Sequence, residues 1–213
     1  MEIQRKEGVG MGNTKRKVKR GTIAVLMIFL LGIPAIIYGE TPEDLQKAKE
    51  REAFRKGSAL YFYQIGNDYQ NKGDIAQAIT SWSKAIESNA DFVEAYYNRG
   101  NAYARQNMFD LALADMNKVI EMSPEGKLKA QAYYNRGLIF DKNNQIDQAI
   151  ADYTKTIEIN PEYAPAYKNR AVGYFSKKEY DKSWADVNKS ESLGLKVHPQ
   201  FLELLRKSSM RNK

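Results

Sequence analysis

The sequence of 213 residues contains no cysteine and only one histidine. The lack of cysteine excludes disulfides, thiolate catalysis, cysteine-ligated metals and a lipidated N-terminal cysteine. His198 stands beside Pro199 at a predicted helix start, a position typical of a capping or surface residue rather than of a general base. The sequence also contains no glycine-rich phosphate loop and no acidic cluster with metal-ligand spacing. We therefore predict a protein that is not an enzyme and that binds no cofactor and no metal.

The formal net charge of +7 belongs to the two ends of the chain rather than to its middle. Residues 1–20 contain seven lysines and arginines against two glutamates, and the last eight residues contain four cations and no acid. Residues 21–205 therefore sum to −2. Because nucleic-acid binding needs a basic surface on the folded body, we predict no nucleic-acid partner.

Residues 21–39 form an uncharged, mostly apolar run of 19 residues directly after the basic residues 1–20, which are predicted to stay in the cytoplasm. A helix of that length spans about 28 Å, enough for the hydrocarbon core of a membrane. The run is thus either an uncleaved transmembrane anchor or a cleaved signal peptide, for which Pro34 and Gly39 fit but Ile37 is bulky. In both cases the rest of the chain is exported, anchored to the membrane or released as a soluble extracytoplasmic protein. Met1 and Met11 are both possible starts.

The residues that follow, 40–58, are polar and rich in Lys, Glu, Gln and Ala. Thr41 and Pro42 are typical of a helix start, and Glu43 and Asp44 suit the positive end of the helix dipole. We predict a solvated helical spacer here.

Self-comparison shows an internal repeat in the remainder of the chain. The pentad AYYNR begins at Ala95 and again at Ala132, and related segments lie before and after these two copies. The period is 34 residues, with residues 127–129 inserted between the second and third copies. The four copies are 59–92, 93–126, 130–163 and 164–197.

Each copy predicts two helices joined by a tight turn. A small residue recurs in the first helix, at Gly66, Gly100, Gly137 and Ala171. Large apolar residues recur in the second helix, at Trp82, Met116, Tyr153 and Val187. Small residues let two helices approach closely, and large ones fill the remaining volume. The predicted turns carry residues that tolerate a left-handed backbone, namely Gly73, Asn107 and Asn144.

These copies resemble the tetratricopeptide repeat (TPR) family over residues 59–197, with departures in the first and last copies that are typical of a capped array. The resemblance implies an all-α, right-handed superhelical solenoid of four helix pairs. Residues 198–213 follow as a capping helix and basic tail, with Phe201, Leu202 and Leu205 on the apolar side of the helix.

The family's groove is lined by the first helix of each copy, so the resemblance implies a binding surface for a protein or peptide. Carried over to this sequence, the predicted groove residues are Tyr63, Asn67, Tyr97, Asn98, Asn101, Tyr134, Asn135, Lys168 and Asn169. Tyrosine and asparagine provide apolar area and adaptable hydrogen bonds for such a partner. The asparagines could equally brace neighbouring helices, and both interpretations stay open. The leading aromatics Phe62, Tyr96, Tyr133 and Tyr167 are predicted to be core.

The family's clamp for the C-terminal carboxylate of chaperone tails is not expected here. Its cationic positions are taken by Tyr63, Gln131 and Asn135, which leaves no charge-assisted donor. We predict a scaffold that binds a protein segment during envelope assembly or secretion. The alternative is a structural protein that assembles into homo-oligomers.

Overall fold

The computed structural model describes residues 41–209, and its regular secondary structure is entirely helical over that stretch. Its helices form four consecutive pairs and one closing helix. The bounds are α1 Pro42–Asn71, α2 Ile75–Ser88, α3 Val93–Arg105, α4 Phe109–Met122, α5 Lys127–Lys142, α6 Ile146–Ile159, α7 Ala164–Ser176, α8 Tyr180–Ser192 and α9 Pro199–Ser208. The repeats lie within the compact unit Phe54–Lys213.

Helix α1 begins where the sequence predicts. Thr41 Oγ1 accepts a hydrogen bond from the backbone N–H of Asp44 at 3.2 Å, and Asp44 Oδ2 accepts one from the backbone N–H of Thr41 at 3.0 Å. This reciprocal cap satisfies two backbone donors that the first turn leaves free. The helix then continues for 30 residues, so the predicted spacer and the first helix of the first copy are one uninterrupted element.

The predicted insertion at residues 127–129 forms the first turn of α5. That helix has 16 residues, whereas α3 and α7 have 13 each.

The predicted left-handed turns are confirmed. Gly73 has φ 80°, Asn107 has φ 60° and Asn144 has φ 57°. Lys178 takes the same conformation in the fourth copy, with φ 62°. Lysine has no preference for the left-handed region of the backbone, so the residue type did not predict this turn.

The predicted small and large residues meet inside each pair. A Cβ placed on Gly66 would lie 2.5 Å from the indole of Trp82, and one on Gly137 would lie 2.7 Å from the ring of Tyr153. In the fourth copy Ala171 shares a buried cluster with the smaller Val187. Alanine has one more methyl group than glycine, and valine is smaller than its counterparts in the other copies. The two positions therefore divide a similar volume between them differently in this copy.

Helix α9 covers the end of the fourth copy, as predicted. Leu205 is fully buried beside Val187, and the ring of Phe201 lies 5.4 Å from that of Phe175. His198 caps the helix, because its Nδ1 accepts a hydrogen bond from the backbone N–H of Gln200 at 3.3 Å.

The predicted membrane segment, residues 21–39, lies outside the described residues. Among the helices between residues 41 and 209, none combines the length and the apolar character needed to cross a membrane.

Candidate binding groove

Three asparagines join the first helix of one copy to that of the copy before it. Asn98 Nδ2 donates to Tyr63 OH at 3.2 Å and to Asn67 Oδ1 at 3.0 Å. The other bonds run from Asn135 Nδ2 to Tyr97 OH at 3.1 Å and Asn101 Oδ1 at 2.8 Å, and from Asn169 Nδ2 to Tyr134 OH at 3.0 Å. The structure thus joins eight of the nine predicted groove residues through these bonds. Lys168, which stands at the tyrosine position of the fourth copy, is outside them.

These bonds use only part of each polar side chain. Within residues 41–209, Asn98 Oδ1 and Asn135 Oδ1 accept no hydrogen bond, and Asn101 Nδ2 and the Tyr97 hydroxyl hydrogen donate none. None of these atoms is buried without a partner. One side chain can therefore both brace two neighbouring helices and bind a partner, because different atoms are available for the two roles.

A cavity of about 530 Å³ opens over the first helices of the second and third copies, and we call it the groove. Four predicted residues line it: Tyr97, Asn98, Asn101 and Asn135. The remaining lining residues are Gln70, Ile75, Ala102, Ala104, Arg105, Leu138, Ile139, Asp141 and Lys142. The other predicted residues lie outside this lining; they are Tyr63, Asn67, Tyr134, Lys168 and Asn169.

The groove contains three charged residues that the sequence analysis did not select. Arg105 and Lys142 occupy the same repeat position, in the last turns of α3 and α5, and both are exposed. Asp141 accepts a hydrogen bond from the hydroxyl of the buried Tyr153. Burial raises the pKa of Asp141, although that hydrogen bond acts in the opposite direction. Recurrence of a cation at one repeat position was the available signal.

Arginine–aspartate pairs, also not predicted, hold the first helix of a copy to the second. Arg99 donates to Asp115 through Nε and Nη2, both at 2.8 Å, and Arg170 does the same to Asp186 at 2.7 and 2.8 Å. The third nitrogen, Nη1, reaches the preceding copy: Arg99 donates to Ser83 at 2.9 Å. The recurring separation of 16 residues was visible in the sequence.

The leading aromatics pack against these arginines. The guanidinium carbon of Arg99 lies 5.6 Å from the ring centroid of Tyr96 and 5.7 Å from that of Tyr103. Arg136 and Arg170 lie in the same way between two rings of their own copies. Of the four leading aromatics predicted to be core, Tyr167 is buried, whereas Phe62, Tyr96 and Tyr133 are half-buried. The three tyrosines pack against a charge, which keeps that side of each ring near the surface.

The described part of the chain contains no cluster of side chains that could hold a metal ion. No three His, Asp or Glu side chains between residues 41 and 209 converge as a metal site. The groove contains one acid and two cations, and its other lining is amide, phenol and aliphatic.

Sequence comparison decides the family. A profile for the TPR repeat matches residues 66–107, and one for the tetratricopeptide repeat matches residues 93–125 and 130–163. The chain is a tetratricopeptide repeat protein.

Similar solved structures share this TPR fold. A crystal structure of MamA has a TM-score of 0.63 at 23% identity, covering 72% of this chain and 83% of that one. MamA from Desulfovibrio magneticus RS-1 has a TM-score of 0.60 at 22% identity, covering 82% and 93%. The first TPR domain of Spaghetti, bound to an HSP90 peptide, has a TM-score of 0.53 at 23% identity, covering 57% and 94%. At these identities the likeness shows the fold alone.

One curated relative has 35% identity over 66 residues, the UDP-N-acetylglucosamine–peptide N-acetylglucosaminyltransferase of Giardia intestinalis. The match covers 31% of this chain and 4% of that protein. The match is therefore confined to a short stretch of a much longer protein.

Proposed function

We propose that this protein is a non-catalytic scaffold that binds an extended polypeptide segment in the groove. The observation that carries the proposal is the set of polar atoms that the fold leaves without partners around a cavity of about 530 Å³. A TPR domain of the same fold, that of Spaghetti, was solved with a bound peptide. That likeness supports a peptide as the kind of ligand.

The chemistry of the groove matches a polypeptide backbone, which alternates donors and acceptors. Asn98 Oδ1 and Asn135 Oδ1 can accept from peptide N–H groups, and Tyr97 OH and Asn101 Nδ2 can donate to peptide carbonyls. The bracing bonds hold these side chains in place before a ligand arrives. Binding then costs less side-chain entropy than it would with mobile residues.

The test uses two matched tyrosines. Tyr63 and Tyr97 occupy the same repeat position, and each hydroxyl accepts a bond from the asparagine of the next copy. Only Tyr97 lines the groove. Ten-residue peptides would be selected from a random display library on the full chain, and their affinities would be measured by fluorescence anisotropy.

Tyr97→Ala should weaken the selected peptides at least tenfold. Tyr63→Ala loses an equivalent structural bond but leaves Asn98 braced by its second bond to Asn67 Oδ1, so it should change affinity less than twofold. Equal effects of the two substitutions would contradict the groove assignment. Circular dichroism would verify that both variants keep the helicity of the wild type.

Export is part of the proposal, with a role in envelope assembly or secretion. It is supported by the basic residues 1–20, followed by the uncharged run at 21–39. Cell fractionation with N-terminal sequencing tests it. An intact N-terminus in the membrane fraction indicates an anchor, and a new N-terminus near residue 40 indicates a cleaved signal. An intact chain in the soluble cytoplasm would exclude export.

Self-assembly is the second candidate function, and the exposed end of the first copy favours it. Ala95, Ala132 and Ala166 are fully buried in clusters with the copy before them. The same position in the first copy is Tyr61, which is 60% exposed, next to the exposed Leu60. A tyrosine does not fit where alanine is fully buried, so a second chain docking here would pack differently from a repeat. Light scattering on the full chain tests this, since Tyr61→Lys should convert an oligomer into a monomer.

A further inference from the structure

We propose that the groove selects a segment with an acidic side chain, whose carboxylate is bound by Arg105 and Lys142. This inference rests on the proposed function, because it specifies the partner of the same groove. It goes beyond that function by making charge the source of selectivity. Tyr97 and the asparagines would bind any backbone, whereas two cations distinguish a carboxylate from an amide of the same shape.

The first support is the position of the two cations. Arg105 and Lys142 occupy equivalent positions on neighbouring first helices, and both line the same cavity as the predicted residues Tyr97, Asn101 and Asn135. An acidic side chain of a segment lying across α3 and α5 can therefore meet both cations. Each side chain is long enough to adjust to the position of the carboxylate.

The second support is that neither cation is paired with an acid or hydrogen-bonded within the described part of the chain. Within residues 41–209, Arg105 and Lys142 form no salt bridge and no side-chain hydrogen bond. The three arginines of the interhelical pairs are committed to aspartates, at Arg99, Arg136 and Arg170. Lys118 and Lys155, which share one repeat position on the second helices, are paired with Glu121 and Glu158.

The acid in the lining does not neutralise the pair. Asp141 is half-buried and accepts the hydroxyl hydrogen of Tyr153, which ties it to the interior of the third copy. It forms no ion pair with Lys142 or Arg105. Among the described residues, the groove therefore has two cations without an acidic partner and one carboxylate engaged by a hydroxyl. This is an excess of positive charge on a body whose residues 21–205 sum to −2.

Arg105 and Lys142 also lie near helix C-termini, where a cation stabilises the helix dipole. That role is local and does not depend on a ligand. If that were their only role, substituting the two cations would change the free energy of unfolding and leave peptide selectivity unchanged. The proposal instead predicts a change in selectivity.

The test compares two double substitutions of equal charge. Arg105→Gln with Lys142→Gln removes the groove cations, and Lys118→Gln with Lys155→Gln removes two cations at equivalent positions of the second helices. The probes are library-selected peptides with amidated C-termini, each made in an acidic form and with its Asp or Glu changed to Asn or Gln. Affinities are measured on the full chain by fluorescence anisotropy.

The groove substitutions should weaken the acidic peptides at least tenfold and leave the amide forms within twofold. The control substitutions should leave both forms within twofold. Selected peptides that bind the groove without an acid, equal losses in the two variants, or binding that requires a free C-terminal carboxylate would each overturn the inference. Peptides that lose affinity for Tyr97→Ala but bind equally well in their acidic and amide forms would overturn this inference and still support the proposed function. If no selected peptide responds to Tyr97→Ala, the proposed function fails as well.

Discussion

The guanidinium of Arg136 on α5 binds the carboxylate of Asp152 on α6 through two parallel hydrogen bonds, from Nε to Oδ2 and from Nη2 to Oδ1, each 2.7 Å long. Its remaining nitrogen donates to Asn117 Oδ1 on α4, in the preceding copy, at 2.6 Å. One side chain thus joins the two helices of its own copy and the copy before it. The first copy has Ile65 and Ser81 at the same two positions, so the charge and its partner are absent together.

Asp152→Ala should lower the free energy of unfolding by about 3 kcal/mol, because it leaves the mostly buried Arg136 without its counter-charge. Urea denaturation followed by circular dichroism measures the loss. Adding Arg136→Ile, with serine instead of alanine at Asp152, reproduces the first copy and should recover most of it. A double variant no more stable than the single one would show that the pair itself, and not the unpaired charge, determines stability.

Gly137→Ala should destabilise the protein by about 1–3 kcal/mol, because the new methyl would meet the buried ring of Tyr153 at 2.7 Å and force the helices apart. Gly57→Ala is the matched control. It lies in α1 with nothing within 4 Å of the new Cβ, so it should stabilise by about 0.5–1 kcal/mol through helix propensity alone. Thermal unfolding of both variants gives the comparison, and the same sign for both would contradict the packing argument.

Lys178→Gly should raise the free energy of unfolding by about 0.5–1 kcal/mol. A backbone φ of 62° is unfavourable for a residue with a Cβ atom, and glycine does not have this strain. Gly73→Ala, at the same turn of the first copy with φ 80°, should lower it by a similar amount. The two melting temperatures should therefore move in opposite directions.

Asp141→Asn should stabilise the protein near neutral pH and do little in acid. The folded pKa of Asp141 is raised by burial, so its favourable contribution is present below the unfolded pKa of about 3.9 and is lost as pH rises through the folded value. The asparagine keeps an oxygen that can accept from Tyr153 and carries no charge to desolvate.

Urea unfolding of Asp141→Asn and the wild type from pH 3.5 to pH 7.5 checks this. The stability difference should grow with pH across the window just above 3.9 and then level off. A difference that does not depend on pH would show that Asp141 titrates in the folded protein as it does in the unfolded chain.

Much of the local structure followed from the sequence. The helix pairs came from a period of 34 residues, and the turns at Gly73, Asn107 and Asn144 came from residues that tolerate a left-handed backbone. The pairing of Gly66 with Trp82 also followed, since both recur at fixed positions. These features depend on residues close in the chain, where backbone geometry and side-chain volume decide the conformation.

The candidate groove was only partly predictable. The repeat pattern predicts four of the lining residues, namely Tyr97, Asn98, Asn101 and Asn135. It does not predict Arg105, Asp141 and Lys142. Residue type and spacing do not show which side chains converge once helices from different copies pack together.

The sequence by itself determined the helices, the turns at Gly73, Asn107 and Asn144, and the capping residues, because these follow from short-range periodicity and backbone preference. The tertiary structure alone decided which polar side-chain atoms of the described residues form hydrogen bonds between helices and which do not. Asn135 and Tyr97, 38 residues apart, form a bond only because two first helices pack side by side. The same packing places Arg105 and Lys142, which have no acidic partner within residues 41–209, around one cavity, since their positions depend on how whole helices are arranged.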